Sequence, residues 1–177
     1  MSLEEVVLVN QNGLETGTME KIEAHKKGLL HRAFSVFIIN SSGHLLLQRR
    51  ASGKYHSPGL WTNTCCSHPR PGESVNEAAR RRLKEEMGMD CSLTELFTFI
   101  YKTEFENGLT EHEFDHVLVG ISDKDPVPDP DEVDEYEYAE LEFLLVDIDK
   151  NPRDYTEWFK IAFPGVKDKL EQLLTNN

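Results

Sequence analysis

The stretch that decides how this chain is read runs from Ser67 to Met89, SHPRPGESVNEAARRRLKEEMGM. From Ser74 onward it is helical in pattern. A serine hydroxyl caps a helix N-terminus, and Glu77, three residues further on, completes the reciprocal capping box. Gly88 marks the stop, because glycine enters the left-handed conformation that closes helices. Between these signals Val75, Ala78, Ala79 and Leu83 recur at helical spacing and form one apolar stripe. Arg82, Glu85 and Glu86 stand at i, i+3 and i+4 and share one charged face.

On either side of this helix the chain turns to β composition. Val6 to Val9 followed by NQNG reads as a strand entering a hairpin. FSVFII (Phe34–Ile39), NSSG and HLLLQ (His44–Gln48) read as a second hairpin. SPGLWTN (Ser57–Asn63) is a turn leading into a short extended piece. Further β-like runs cover Leu96–Phe105, Phe114–Ile121 and Tyr138–Val146. A C-terminal helical region holds Tyr155–Phe163 and Val166–Leu174, punctuated by Pro152 and Pro164. Mixed strands and helices with hairpins indicate an α+β domain or a sandwich built on a mixed sheet.

The chain of 177 residues, 38% hydrophobic and 29% charged, suits one globular domain over residues 1–177. Neither a basic, apolar leader nor a run of ~20 apolar residues is present, so a signal peptide and a membrane span are not expected. Cys65 and Cys66 are adjacent and the three cysteines are an odd count, which implies no disulfide framework and fits a reducing cytoplasm. A net charge of −13 argues against nucleic acid as a partner. Much of that charge lies between Asp123 and Glu142, read here as a solvated loop and strand edge. Basic residues gather in two groups, Arg49, Arg50 and Lys54, and Arg80, Arg81, Arg82 and Lys84.

The Ser67–Met89 stretch resembles the Nudix box, with Glu73, Arg81, Leu83, Glu85, Glu86, Gly88 and Met89 in register. Ser67 stands where the box has its first glycine, and Arg82 where it has the first glutamate of the helix cluster. Three carboxylates on that face would hold divalent metals against a diphosphate and help activate a water. An arginine at position 82 lowers that capacity and supplies a cation able to grip phosphate. The resemblance implies a Nudix-type α/β/α sandwich.

A closer resemblance lies in WTNTCCSHP (Trp61–Pro69), EKIEAHKKGLLHRAFSVFI, LLLQRRASGKYHSPGLWTN and GLTEHEFDHV, which together are similar to type I isopentenyl-diphosphate isomerases. That resemblance implies interconversion of isopentenyl and dimethylallyl diphosphate, a small prenyl diphosphate as partner, and roles for particular residues. Cys66, two residues before His68, is the implied catalytic cysteine, with Glu113 as the second proton-transfer group and Tyr101 assisting it. His25, His31, His68, Glu111 and Glu113 are the implied ligands of one divalent metal (Mn²⁺, Mg²⁺ or Zn²⁺), and Glu86 meets a Mg²⁺ carried by the diphosphate. Lys21, Arg50, Lys54 and Arg82 would hold the diphosphate, and Trp158 would cover the prenyl tail. In extended chain, Cys66 and His68 share a face and Cys65 turns away into apolar surroundings. A nearby cation would lower the Cys66 pKa and favour its thiolate.

Simpler readings exist for several of these residues. Trp158 serves equally well as a core aromatic of YTEWF, and Tyr101 is similarly ambiguous. His25 and His31 alone would pass for surface or capping histidines, while His44 and His56 have no supporting context and are read as surface residues. HEFDH (His112–His116) matches the H-E-x-x-H zinc-protease pattern, which works only on a helix, and its neighbours are β-rich. The rival activity is a Nudix diphosphohydrolase acting on a nucleotide-type substrate, which would want Glu at position 82.

Overall fold

The computed structural model describes residues 3–175. Strands β1 (Glu5–Val9) and β2 (Glu15–Glu20) form the first hairpin and lead into a short helix, α1 (Lys21–Lys27). Strand β3 (His31–Ile39) is the spine of the nine-stranded mixed sheet. It pairs antiparallel with β4 (Leu45–Arg50) near its end and with β6 (Cys65–Ser67) in its middle. Along its whole length it runs parallel to β8 (Thr110–Ile121), from His31 opposite Glu113 to Ile39 opposite Ile121. Strand β7 (Thr94–Glu104) pairs with the other edge of β8, and β5 (Trp61–Thr62) and β9 (Val133–Ala139) pair with β4.

The near-continuous apolar run of β3 reflects burial on both faces. Phe34, Val36 and Ile38 turn to helix α2 (Val75–Met87) and meet Ala78, Ala79, Leu83 and Met87. Phe37 and Ile39 turn the other way, toward Phe159, Ala162, Phe163 and Val166 of α4 (Glu157–Thr175) and Leu144 of α3 (Leu141–Lys150). The layers are therefore helix, sheet, helix, an α/β/α sandwich. Each fully buried aromatic or aliphatic side chain adds on the order of 1.5–3 kcal/mol to that packing.

Helix α2 begins and ends at the signals in its sequence. Ser74 and Glu77 form the capping box, and Gly88 has φ 63°. A Cβ at Gly88 would lie 2.7 Å from the Val127 carbonyl oxygen, so only glycine closes this helix against the following loop.

Three expectations require correction. The Tyr138–Val146 run is not one strand: β9 ends at Ala139 and α3 begins at Leu141. Pro164 does not divide the last helix, since the buried stripe Phe159, Ala162, Phe163 and Val166 passes through it and tertiary packing outweighs the lost hydrogen bond. The acidic Asp123–Glu142 segment is not wholly solvated. It supplies β9, as the strand-edge reading has it, but Glu132 turns into a cavity described next.

Candidate active site

At the end of the sheet where β3 starts, the fold gathers four histidines and three acids beneath α1. His25 is buried in α1, with its Nδ1 2.7 Å from the Lys21 carbonyl oxygen. His31 opens β3, with Nδ1 2.8 Å from the Leu29 carbonyl oxygen. A ring N–H that donates to a carbonyl fixes the tautomer and leaves Nε2 as a bare ligand atom. His25 Nε2 is indeed buried with no hydrogen-bond partner. His68 follows β6, and its Nε2 lies 2.9 Å from Glu113 Oε1 and 3.3 Å from His31 Nε2. Two imidazole nitrogens that close require a proton or a cation between them. Ligand atoms of His25, His31, His68 and Glu113 all lie within 4.8 Å of one another, every residue buried. Three imidazoles and a carboxylate suit a divalent metal ion.

Strand β8 supplies the acids by its period of two. Glu111, Glu113 and Asp115 face inward, while His112 and His116 face away, near the Gly28 carbonyl and Glu95. HEFDH therefore lies on a strand with its histidines outside the cavity, and the zinc-protease reading fails. The Tyr101 hydroxyl, opposite Glu113 on β7, lies 2.9 Å from Glu111 Oε2 and 2.7 Å from Glu113 Oε2. Burial and both carboxylates raise its pKa, so it stays a proton-bearing phenol. Burial would raise the Glu113 carboxyl too, but the hydrogen bonds and charge of His31 and His68 outweigh it and hold Glu113 ionised. Burial lowers His68 to about 4, whereas the hydrogen bond and charge of Glu113 raise His31 against its own burial. Asp115 is the reverse case, pushed up by burial and then by Glu113, with Ser35 donating to its Oδ2 at 2.8 Å.

The cavity continues from these acids to α2. Cys66 lines it from β6, while Cys65 is fully buried on the α2 side, as their alternation requires. The thiolate expectation is reversed. Burial, reinforced by Glu86, Glu111 and Glu113, pushes the Cys66 thiol well above its ordinary value despite Arg50, and Cys66 keeps its proton. Lys21, Arg50, Lys54, Arg82, Glu86 and Trp158 line the same cavity. Arg82 contacts Glu86 at 2.6 Å, Glu85 at 2.7 Å and Glu132 at 3.2 Å, and Gln48 donates to Glu86 at 2.9 Å. Lys54 also pairs with Glu132, and Lys21 with Glu4 at 2.8 Å. Arg50 has no carboxylate partner among the described residues; it lies 5.3 Å over the Trp158 ring. The other arginines of its group and of α2 face elsewhere, Arg49 to Glu135, Arg80 to Asp90 and Arg81 to Glu73.

A family model described as NUDIX domain matches residues 29–159. The chain is 52% identical over 168 residues to the isopentenyl-diphosphate Delta-isomerase of Pectobacterium atrosepticum, covering 95% of this chain and 94% of that one. It is 53% identical over 163 residues to isopentenyl-diphosphate Delta-isomerase 2 of Aromatoleum aromaticum, covering 92% and 86%. The chain belongs to the isopentenyl-diphosphate Delta-isomerase family of Nudix proteins. Among solved structures, DR0079 of Deinococcus radiodurans shares its fold at TM-score 0.73 and 23% identity, over 90% of this chain and 97% of that one.

Two further placements qualify the sequence reading of this Nudix chain. Glu111 stands beside the four-residue cluster rather than within it, grouped instead with His25 and His56. His56 is no surface residue: it is buried, 2.8 Å from Glu111 Oε1 through its Nε2. Glu4, Glu132, His56 and Asp115 line the cavity without having been singled out. Only Asp115 carried a sequence signal, as the next inward position after Glu111 and Glu113. Trp158 proves to be both core and cavity wall, its indole N–H donating to Asn63 Oδ1 at 3.1 Å.

Proposed function

We infer that this chain interconverts isopentenyl diphosphate and dimethylallyl diphosphate by moving one proton on and another off the C5 unit, with Cys66 and Glu113 as the two proton-transfer groups. One observation carries the reading: Cys66 on β6 and Glu113 on β8, from separate strands, reach a single cavity that Arg82 also lines. Isomerisation adds a proton at the terminal methylene carbon and removes one two carbons away, through an intermediate close to a tertiary carbocation. That chemistry needs an acid and a base flanking the chain and a site that keeps water from the cation.

The residues suit those demands. The Cys66 thiol bears a proton and Glu113 is ionised, so one group gives while the other takes, and the roles exchange in the return direction. Tyr101 holds a proton against Glu113 and orients it. Trp158 presents an apolar, electron-rich wall to the prenyl unit, a contact worth on the order of 2 kcal/mol when desolvated. Lys21, Arg50, Lys54 and Arg82 would bind the diphosphate, and Glu86 would hold the Mg²⁺ that accompanies it. His25, His31, His68 and Glu113, with Glu111 alongside, would hold a divalent cation, which would supply fixed positive charge beside these carboxylates. Mn²⁺, Mg²⁺ and Zn²⁺ all fit the donor set. Free Cys65, Cys66 and Cys91 suit a cytoplasmic setting.

Hydrolysis is the weaker reading, because Arg82 neutralises the helix face on which a hydrolase would gather carboxylates. The test is to incubate the protein with isopentenyl diphosphate and divalent metal in D₂O and follow it by NMR. Deuterium-bearing allylic product with the diphosphate intact is expected. Phosphate release without allylic product would reject the reading.

A further inference from the structure

We propose that His56 is a positioning residue for the metal centre, fixing Glu111 and tying it to the loop that carries Lys54. The inference rests on the metal-dependent reading above and adds to it a residue that acts through Glu111.

His56 lies between β4 and β5, in the segment that leaves β4 at Arg50 and returns at Trp61. Its Nε2 is 2.8 Å from Glu111 Oε1, while the Tyr101 hydroxyl meets Glu111 Oε2 at 2.9 Å. The carboxylate is thus held at both oxygens, by side chains from two separate elements. A carboxylate so fixed presents its remaining lone pairs in one direction, which is how a hydrogen-bond partner behind a metal ligand raises affinity.

The imidazole is itself immobile. Phe105 stacks on it with ring centres 4.8 Å apart and 10° between planes, and Tyr55 and Trp158 meet it edge-on at 4.4 and 5.7 Å. The backbone around it is clamped as well. Arg50 Nη2 donates to the His56 carbonyl oxygen at 3.1 Å, and Asn107 Nδ2 to the Tyr55 carbonyl oxygen at 2.9 Å. Lys54 is two residues away and lines the same cavity. One loop therefore carries both Lys54 and the imidazole that orients Glu111.

Isothermal titration of the full chain with Mn²⁺ tests this. His56→Phe keeps the aromatic packing and removes the bond to Glu111, and it should weaken Mn²⁺ binding about 10–100-fold. His56→Gln, which still offers a donor, should recover most of the loss. In a Glu111→Ala background, His56→Phe should add no further loss. Wild-type affinity in His56→Phe, or a full additional loss in the Glu111→Ala background, would overturn the proposal. Should His56→Phe fail to fold, ¹⁵N spectra of the Zn²⁺-loaded wild type decide instead: Nε2 of His56 protonated supports positioning, and Nε2 bare against the metal overturns it. Wild-type protein that binds no divalent cation would overturn the metal reading itself, whereas wild-type binding with an unaffected His56→Phe overturns this inference alone.

Discussion

Strand β8 and helix α2 each send acidic side chains into one cavity, and the two rows are neutralised in different ways. On β8 the acids are Glu111, Glu113 and Asp115, all buried, and their partners are His56, Tyr101, His31, His68 and Ser35. On α2 Glu86 lines the cavity and Glu85 lies exposed beside it, and both pair with Arg82, a permanent cation. Imidazoles and hydroxyls can lose, gain or share protons, so the β8 row can hold a metal or move hydrogen. A guanidinium does neither, so the α2 row anchors charge and leaves bonds alone. On the proposed reading, an arginine at position 82 among the helix carboxylates separates binding of a diphosphate from its hydrolysis.

Substitutions on each row break this contrast most directly. Glu113→Gln removes a proton-transfer group, and kcat should fall about 10²–10⁴-fold with the thermal midpoint little changed. A mutant retaining wild-type kcat would place the chemistry elsewhere. Arg82→Glu should act mainly on KM. Losing a charge-assisted contact of about 1.5–3 kcal/mol and adding a repelling carboxylate raises KM roughly 10–100-fold or more. A drop in kcat with KM unchanged would contradict its anchoring role.

The smallest effect lies outside the cavity, at the foot of α2. Glu73 accepts hydrogen bonds from Arg81 at 2.7 and 2.9 Å, which, with a backbone N–H from Arg70, hold its carboxyl below the usual range. A carboxyl depressed in the folded state stabilises above its unfolded pKa, and that stability disappears as pH falls through the folded value. Glu73→Gln should cost less than about 1 kcal/mol at neutral pH and flatten the acid limb of stability against pH. An unchanged acid limb would mean that the pair contributes nothing.

Local signals carried much of the fold. Ser74, Glu77 and Gly88 bracket α2 as their chemistry requires, and the apolar run of β3 announces a strand covered on both faces. The misreadings come from long-range packing. Leu141–Val146 is apolar without decisive periodicity, and the helix buries Leu144 in the cluster that also holds Tyr155, Trp158 and Phe159. Pro164 reads as a break because its cost is local, whereas the packing that outweighs it joins Phe163 and Val166 to β3. Within the site, residues inside recognisable motifs were legible, including Cys66, His68, Glu111 and Glu113. His56 was not, since its partner Glu111 is distant in sequence and nothing beside it hints at burial. Glu132 was hidden in an acidic run whose other members mostly face solvent. The Cys66 thiolate was misjudged because Arg50 is visible in sequence, while desolvation and three surrounding carboxylates are not.

Cys66→Ala tests the central division between proton transfer and anchoring. Fold, divalent-metal affinity and diphosphate binding should persist while the allylic product in D₂O disappears to the detection limit. A Cys66→Ala enzyme that still exchanges the double bond at a measurable fraction of the wild-type rate would contradict the account.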